Sequence, residues 1–480
     1  MLKLLNYIGG QLVEPKSKRF IPLVEPATGQ PFGDVPVSDA ADVNAAVQAA
    51  TNAFESWSNT PAEQRCKIML RIADLIDERL DELAQAESKD NGKPVKLASV
   101  VDIPRASSNF RFFATAALQF SSESHAMENT AINYTLRQPV GVVGCISPWN
   151  LPLYLFTWKI APALAAGNCV IAKPSEVTPY TSFILSQICI DAGLPAGVLN
   201  ILHGDGPTTG AAMVAHPKIK AISFTGSTRA GKEIATIAAP MFKKLSLELG
   251  GKNPNIIFAD CDFENMLRTT INSSFSNQGQ ICLCGSRILV EDSIYDRFKD
   301  AFVAEVKKLK VGDPLSSDSR LGAIVSQQHY DKVLSHVQIA YEEGGTILTG
   351  GFPVKLDGRC KDGWFIDPTV IEGLGPECRT NREEIFGPVV TLQRFSTEAE
   401  ALDLANACEY GLSATVWTQN LSRAHRVAAK LECGIVWVNC WLLRDLRTPF
   451  GGVKNSGVGR EGGWDAMKFF TEAKNVCVKF

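Results

Sequence analysis

From Pro139 onward, short apolar β-branched runs alternate with amphipathic stretches, and no other feature of the chain restricts the fold as much. A run at 142–146 is followed by a helical stretch at 153–166, a run at 170–172 and a second helical stretch at 181–192. A run at 198–202, a short helical stretch at 210–215 and a run at 221–224 complete the series. Connections of this length permit parallel pairing, which a tight turn cannot make. The predicted fold class is therefore α/β, built on a doubly wound parallel sheet. A second series follows Pro254, through 256–258, 287–290 and 434–438, and predicts a second α/β domain. A chain of 480 residues suits this division, since one core rarely serves so many.

Upstream, Pro26-Ala27-Thr28-Gly29 is a turn signal, and helical spacing runs over 43–54, 65–86 and 102–120. Asp39 fits an N-cap for a helix beginning near Ala40. Residues 475–480 predict a short strand, which must pair with another sheet of this chain or of a partner subunit.

The balance of 48 Lys+Arg against 51 Asp+Glu, a net charge of −3, argues against nucleic acid or an anionic membrane as partner. No apolar run approaches the roughly 20 residues that span a bilayer, and the N-terminus lacks the apolar core of a signal peptide. Thirteen cysteines form an odd set without a framework, as expected of free thiols in a reducing, cytoplasmic compartment. Cys282 and Cys284 make a C-x-C pair with no second Cys or His pair at ligand spacing, so no metal site is predicted.

Three segments carry reactive side chains where an α/β protein would use them. In Phe275-Ser276-Asn277-Gln278-Gly279-Gln280-Ile281-Cys282, a cysteine follows polar, Gly-containing backbone whose N–H groups would favour a thiolate and cradle an oxyanion. Taken alone, Cys282 reads equally as a buried structural thiol. The run 245–248 predicts a strand ending in Glu248 beside Gly250-Gly251. A desolvated glutamate there would have a raised pKa suited to a general base, while the plainer reading is a salt-bridged strand end. Ile146-Ser147-Pro148-Trp149-Asn150 lies at the C-terminal end of a predicted parallel strand, where such sheets bind ligands. Asn150 offers an uncharged N–H donor there, or simply holds a turn between prolines.

Two glycine loops compete for a phosphate. Gly204-Asp205-Gly206-Pro207-Thr208-Thr209-Gly210 approximates a dinucleotide fingerprint, but its third Gly is one place late and Asp205 opposes an anion. Phe224-Thr225-Gly226-Ser227 follows a strand and opens a helix, and is the better candidate.

Taken together, these segments resemble the aldehyde dehydrogenase superfamily over essentially the whole chain. Trp149-Asn150, Phe224-Thr225-Gly226-Ser227, Glu248-Leu249-Gly250-Gly251-Lys252, the run 277–282, Glu383-Glu384-Ile385-Phe386-Gly387-Pro388 and Pro449-Phe450-Gly451-Gly452 occur in the family's order. The resemblance implies a Rossmann-type NAD-binding domain over 1–120 and 139–249 and a catalytic domain over 250–465. It also implies a bridging segment of 121–138 and 466–480, through which the family forms homodimers or homotetramers. Cys282 is then the nucleophile, Asn150 the oxyanion donor and Glu248 the base that activates water. Ser147, Trp149, Lys173, Glu176, Gly206, Gly226, Ser227, Glu384 and Phe386 fall at positions of the NAD site. Glu176 there hydrogen-bonds the ribose hydroxyls and disfavours a 2′-phosphate.

For the aldehyde, Leu151, Leu155, Trp158 and Phe450 match positions near the substrate. The segments around Arg105 and Arg444 look like the branch that oxidises muconic semialdehydes. There the matching arginines clasp the substrate carboxylate, for which a planar guanidinium is suited. The competing reading pairs these arginines with Asp102 and Asp445 at the surface. Cys282-Leu283-Cys284-Gly285-Ser286-Arg287 leans toward the animal-type enzyme of tryptophan (kynurenine) breakdown, which acts on the 2-amino compound. A 2-hydroxymuconic substrate, a broad or retinal-type activity and a recruited non-catalytic scaffold are the alternatives.

Overall fold

The computed structural model describes all 480 residues and contains two large sheets. The first has eight strands, in the order Gly457–Val458, Lys244–Glu248, Ile219–Thr225, Val142–Ile146, Cys169–Lys173, Leu199–Ile201, Asn6–Ile8 and Gln11–Val13. Its five central strands are parallel, and antiparallel strands close both edges. Val142–Ile146 and Cys169–Lys173 are buried throughout, as strands covered on both faces must be. The chain winds outward from Val142–Ile146 in one direction and from Ile219–Thr225 in the other. The crevice between the C-terminal ends of those two strands is the topological switch point, where such sheets take ligands.

The second sheet has seven strands, in the order Thr346–Thr349, Thr369–Glu372, Val389–Phe395, Arg287–Glu291, Pro254–Ile257, Ser413–Trp417 and Ile435–Val438. All its neighbours are parallel except the first pair. Only residues 249–253 separate the end of Lys244–Glu248 from the start of Pro254–Ile257, so the two sheets meet at a short joint. A third, small sheet pairs Thr471–Lys479 antiparallel with Ala131–Pro139, which also pairs with Ser124–Met127. The C-terminal strand is thus longer than its expected six residues and finds its partner within the chain.

Local chemistry accounts for the helix boundaries. Asp39 accepts from the N–H of Ala41 at 2.8 Å while Asp42 accepts from the N–H of Asp39 at 3.1 Å, a reciprocal cap that starts Ala40–Asn59. The single helix expected over 65–86 is two helices, Ala62–Glu78 and Leu80–Asn91. They break at Arg79, whose backbone leaves the helical region (φ −106°, ψ 23°) and whose guanidinium grips Glu82 at 2.7 and 2.9 Å. The change of direction buries Leu83, Glu87 and Asp90. The expected helix over 102–120 runs from Ile103 to Ala116, directly after a π turn at Ala98–Asp102. Residues 20–25 and 30–36 pair across the turn foreseen at 26–29, with Gly29 at φ +66°.

Candidate active site

The loop leaving Val142–Ile146 is fastened from several sides. The Trp149 carbonyl accepts from Asn91 Nδ2 at 2.9 Å, and the Asn150 carbonyl accepts from Lys93 Nζ at 3.1 Å and from Asn277 Nδ2 at 2.9 Å. Asn150 itself is buried, and its amide donates to the Gln280 carbonyl at 3.0 Å. An amide nitrogen carries two protons, so one donor remains for another acceptor.

Cys282 comes from the second sheet, on the loop between the helix Phe263–Phe275 and the strand Arg287–Glu291. Three successive residues, Asn277, Gln278 and Gly279, take the left-handed conformation (φ 52°, 56° and 72°). Strain at the two non-glycine positions is offset by side-chain amides that bond the surroundings. Gln278 donates to the Ala323 carbonyl and accepts from the Gly322 N–H, while Gln280 accepts from the Val325 N–H. A Cβ on Gly279 would collide with the Gly387 carbonyl. Asn253, in the joint between the sheets, donates to the carbonyls of Cys282 at 2.7 Å and Cys284 at 2.9 Å. The loop therefore has one position. The neighbouring N–H groups would favour a thiolate, but burial, then the carboxylates of Glu384 and Glu248, push the Cys282 pKa up and favour the thiol.

Glu248 ends the strand Lys244–Glu248, opposite Thr225 on one side and Gly457 on the other. It is 3% exposed and neither carboxylate oxygen has a hydrogen-bond partner, so it is no salt-bridged strand end. Burial, reinforced by the charge of Glu461, holds its pKa well above the usual carboxylate range, with Lys159 opposing. Gly451 lets the backbone approach: a Cβ there would lie 2.7 Å from Glu248 Oε1.

A cavity of about 190 Å³ joins Trp149, Asn150, Gly226, Ser227, Cys282, Glu384 and Phe386, gathering seven of the expected residues from both sheets. The strand–loop–helix expected at 224–227 is present. Ile219–Thr225 precedes it, and Ser227 caps Thr228–Ala238 by accepting from the Ala230 N–H at 3.2 Å. Glu384 accepts from the Gly251 N–H at 2.8 Å, and a Cβ on Gly250 would clash with its carboxylate. The Phe386 ring meets Trp149 edge-on, with centroids 5.2 Å apart. Helix-terminal N–H groups, the unpartnered buried hydroxyl of Thr225, a carboxylate and two aromatic faces suit a dinucleotide better than an apolar ligand. The same cavity includes His329 and Lys332, which the sequence did not single out. They come from the helix Gln327–Glu342, and no local motif marks them.

The remaining cofactor candidates stand outside that cavity's wall. Ser147 is buried with an unpartnered hydroxyl. Lys173 donates to the carbonyls of Gly204 at 2.6 Å and Pro174 at 2.9 Å and lies 3.3 Å from the Glu176 carboxylate. Glu176 is half-buried. Gly206 begins a π turn that Asp205 caps by accepting from the Thr208 N–H at 2.6 Å. A Cβ on Gly206 would meet nothing within 4 Å, so no close approach requires glycine there.

A second cavity, of about 320 Å³, is lined by Arg105 and Arg444 with Val100, Val101, Pro104, Ser108, Tyr154 and Leu442. Neither arginine takes the surface pairing considered for it. Asp102 is fully buried against Lys93 at 2.8 Å, and Asp445 is held by Arg447 at 2.5 Å. The Arg444 guanidinium lies 4.1 Å from the Phe450 ring centroid and 5.1 Å from that of Trp158. Leu151 and Leu155 line neither cavity; they pack in the core of the first sheet. Trp441 Nε1 donates to the Leu283 carbonyl at 3.0 Å, which ties the Arg444 loop to the residue after Cys282.

The two sheets bring a thiol, a buried carboxylate and a cavity suited to a dinucleotide to one joint, an arrangement that an oxidoreductase could use, and comparison defines its kind. Residues 12–476 match the model of the aldehyde dehydrogenase family, and the chain belongs to that family. The 2-aminomuconic semialdehyde dehydrogenase of Danio rerio is 51% identical over all of this chain and 98% of its own length. That of Homo sapiens is 49% identical over 100% and 99%. The 2-hydroxymuconic semialdehyde dehydrogenase of Pseudomonas sp. (strain CF600) is 46% identical over the full length of both. Among solved structures, an indole-3-acetaldehyde dehydrogenase complexed with NAD+ superposes with a TM-score of 0.97 at 38% identity, covering 100% of this chain and 97% of that one.

Proposed function

We propose that the protein oxidises 2-aminomuconate 6-semialdehyde to 2-aminomuconate with NAD as acceptor, a step of tryptophan catabolism. One observation carries the choice of substrate: two guanidiniums without carboxylate partners line one cavity that has no acidic wall. Both guanidiniums are half-buried and free of a carboxylate, so a substrate carboxylate can supply the missing partner. In this reading Arg105 and Arg444 hold that carboxylate, while Trp158 and Phe450 flank the Arg444 guanidinium. Leu151 and Leu155 support the wall from behind.

Cys282 loses its proton to solvent water, and the thiolate sulfur then attacks the aldehyde carbon, whose C=O π electrons move onto the oxygen. The free N–H of the Asn150 amide and the Cys282 backbone N–H hold the oxyanion of the thiohemiacetal. When bound, NAD supplies the acceptor for the hydride that leaves this carbon. The product is a thioester on Cys282. Glu248, whose burial raises its proton affinity, takes a proton from the water that cleaves it. Trp149, Gly226, Ser227, Glu384 and Phe386 would hold the nicotinamide and pyrophosphate side, with Ser147, Lys173, Glu176 and Gly206 toward the adenosine. Glu176 favours free ribose hydroxyls and so NAD.

The relatives also support 2-hydroxymuconic semialdehyde as a second reading, since it carries the same carboxylate and the cavity has no acid to select an amino group. A retinal-type substrate has no charge for the arginines, and a recruited scaffold has no use for Cys282, Glu248 and Asn150 together. We further infer a cytoplasmic homodimer or homotetramer. Residues 1–120 and 139–249 would bind NAD, 250–465 would carry catalysis, and 121–138 with 466–480 would bridge subunits. The presence of thirteen unpaired cysteines supports the compartment.

Steady-state kinetics test the substrate. Arg105→Ala and Arg444→Ala should each raise KM for a muconic semialdehyde by about tenfold or more, and far less for hexanal. Equal losses on both substrates would remove the clasp.

A further inference from the structure

Resting on the reading that the second cavity takes the substrate carboxylate, we infer that Tyr154 is the positioning residue that sets the Arg444 guanidinium beside the Arg105 helix, and through it the preference for carboxylated over uncharged aldehydes. Tyr154 sits in the first turn of the helix Pro152–Ala165 and is 6% exposed, yet its ring reaches the cavity wall. Its hydroxyl accepts from Arg444 Nη1 at 2.5 Å, the one hydrogen bond that guanidinium makes. Aromatic rings lie near the guanidinium, Phe450 at 4.1 Å and Trp158 at 5.1 Å. A guanidinium has five N–H donors. With one committed to a neutral oxygen and none to a carboxylate, an edge is left for a bidentate partner.

The same residue ties down the helix that carries the other arginine through its backbone. The Tyr154 carbonyl accepts from Asn109 Nδ2 at 3.1 Å, and that amide also donates to Thr157 Oγ1 at 3.0 Å. Asn109 stands one helical turn after Arg105 on Ile103–Ala116, so this bond locks the Arg105 helix to the Tyr154 helix. One residue therefore holds one guanidinium by its side chain and the helix of the other by its main chain. A neutral phenol suits this task. A carboxylate in its place would neutralise Arg444 and compete with the substrate, whereas a hydroxyl orients the fork and leaves its charge available.

The test uses the full chain with saturating NAD and two aldehydes, 2-hydroxymuconate 6-semialdehyde and hexanal. Tyr154→Phe keeps the ring and the backbone bond to Asn109 and removes only the hydroxyl. The expected result is a KM for the muconic semialdehyde raised about fivefold to tenfold, with kcat and the hexanal KM moving less than twofold. Combined with Arg444→Ala, the same change should add less than twofold, because the residue through which it acts is gone. A KM rise shared equally by both aldehydes, no rise on either, or the same factor in the Arg444→Ala background would overturn the inference. If Arg444→Ala itself leaves the muconic KM unmoved, the carboxylate reading falls with it. If Arg444→Ala raises that KM and Tyr154→Phe does not, the reading stands and the role of Tyr154 alone is refuted.

Discussion

The two cavities differ in what their walls lack. The smaller, near Trp149 and Phe386, gathers a helix terminus, a carboxylate and a lysine, so its wall carries charge of both signs: Lys332 donates to the backbone carbonyl of Glu384 at 2.9 Å, and the Glu384 carboxylate accepts from the Gly251 N–H. The larger, near Arg105 and Arg444, has two cations and no anion. A balanced wall suits a large ligand held by many modest contacts, and an unbalanced one suits a small ligand that supplies the missing charge. Cys282 is half-buried in the wall of the first and is linked to the second through Trp441, so its chemistry depends on both.

Three perturbations would break or sharpen this contrast. The largest effect belongs to Cys282→Ala, which should lower turnover about 10⁴-fold or more. NAD affinity, followed by quenching of protein fluorescence, should stay within a few-fold, because the balanced cavity keeps its other contacts. Residual turnover near that of the parent protein would remove the thiol from the reaction. Glu248→Gln should cost about 10²- to 10⁴-fold in steady-state turnover. A rapid-mixing trace should nonetheless retain a first burst of NADH near one equivalent per site, since the change halts only the hydrolytic half. Loss of the burst in parallel with turnover would assign Glu248 an earlier task. The smallest effect concerns protonation. With its pKa raised, Cys282 is less ionised at neutral pH than a free cysteine, so its alkylation by iodoacetamide should climb only above about pH 8.5. Burial is the main cause and Glu384 the next, so Glu384→Gln should move that rise down in pH without removing it. An unchanged profile would detach the carboxylate from the thiol.

Much of this arrangement is legible in the sequence, for definite reasons. The parallel strands announce themselves because both of their faces are buried, and Ser227 announces itself because a capping residue must directly precede its helix. The places of Glu248 at a strand end and of Asn150 in the loop after one follow from the same strand pattern. What local pattern could not reveal is contact made across the chain. His329 reaches Trp149, at a centroid distance of 5.0 Å, from a helix 180 residues later. Tyr154 looks like one more apolar residue on a buried helix until Arg444 is placed beside it. The break at Arg79 is invisible because the apolar spacing continues on either side of it. The protonation of Cys282 is open in the sequence for the same reason: the N–H groups beside it are visible there, and the carboxylates beside it in space are not.

The small sheet imposes a delay on biosynthesis. Ala131–Pro139 lies roughly a quarter of the way along the chain, whereas Thr471–Lys479, its nine-residue partner, is made some 330 residues later. At about 5–20 residues per second, the earlier strand leaves the ribosome with one flank bare and waits roughly 15–70 s for it to be covered. During that interval its open backbone is a template for any neighbouring nascent copy, and chaperone occupancy there would be felt in yield long before it was felt in catalysis.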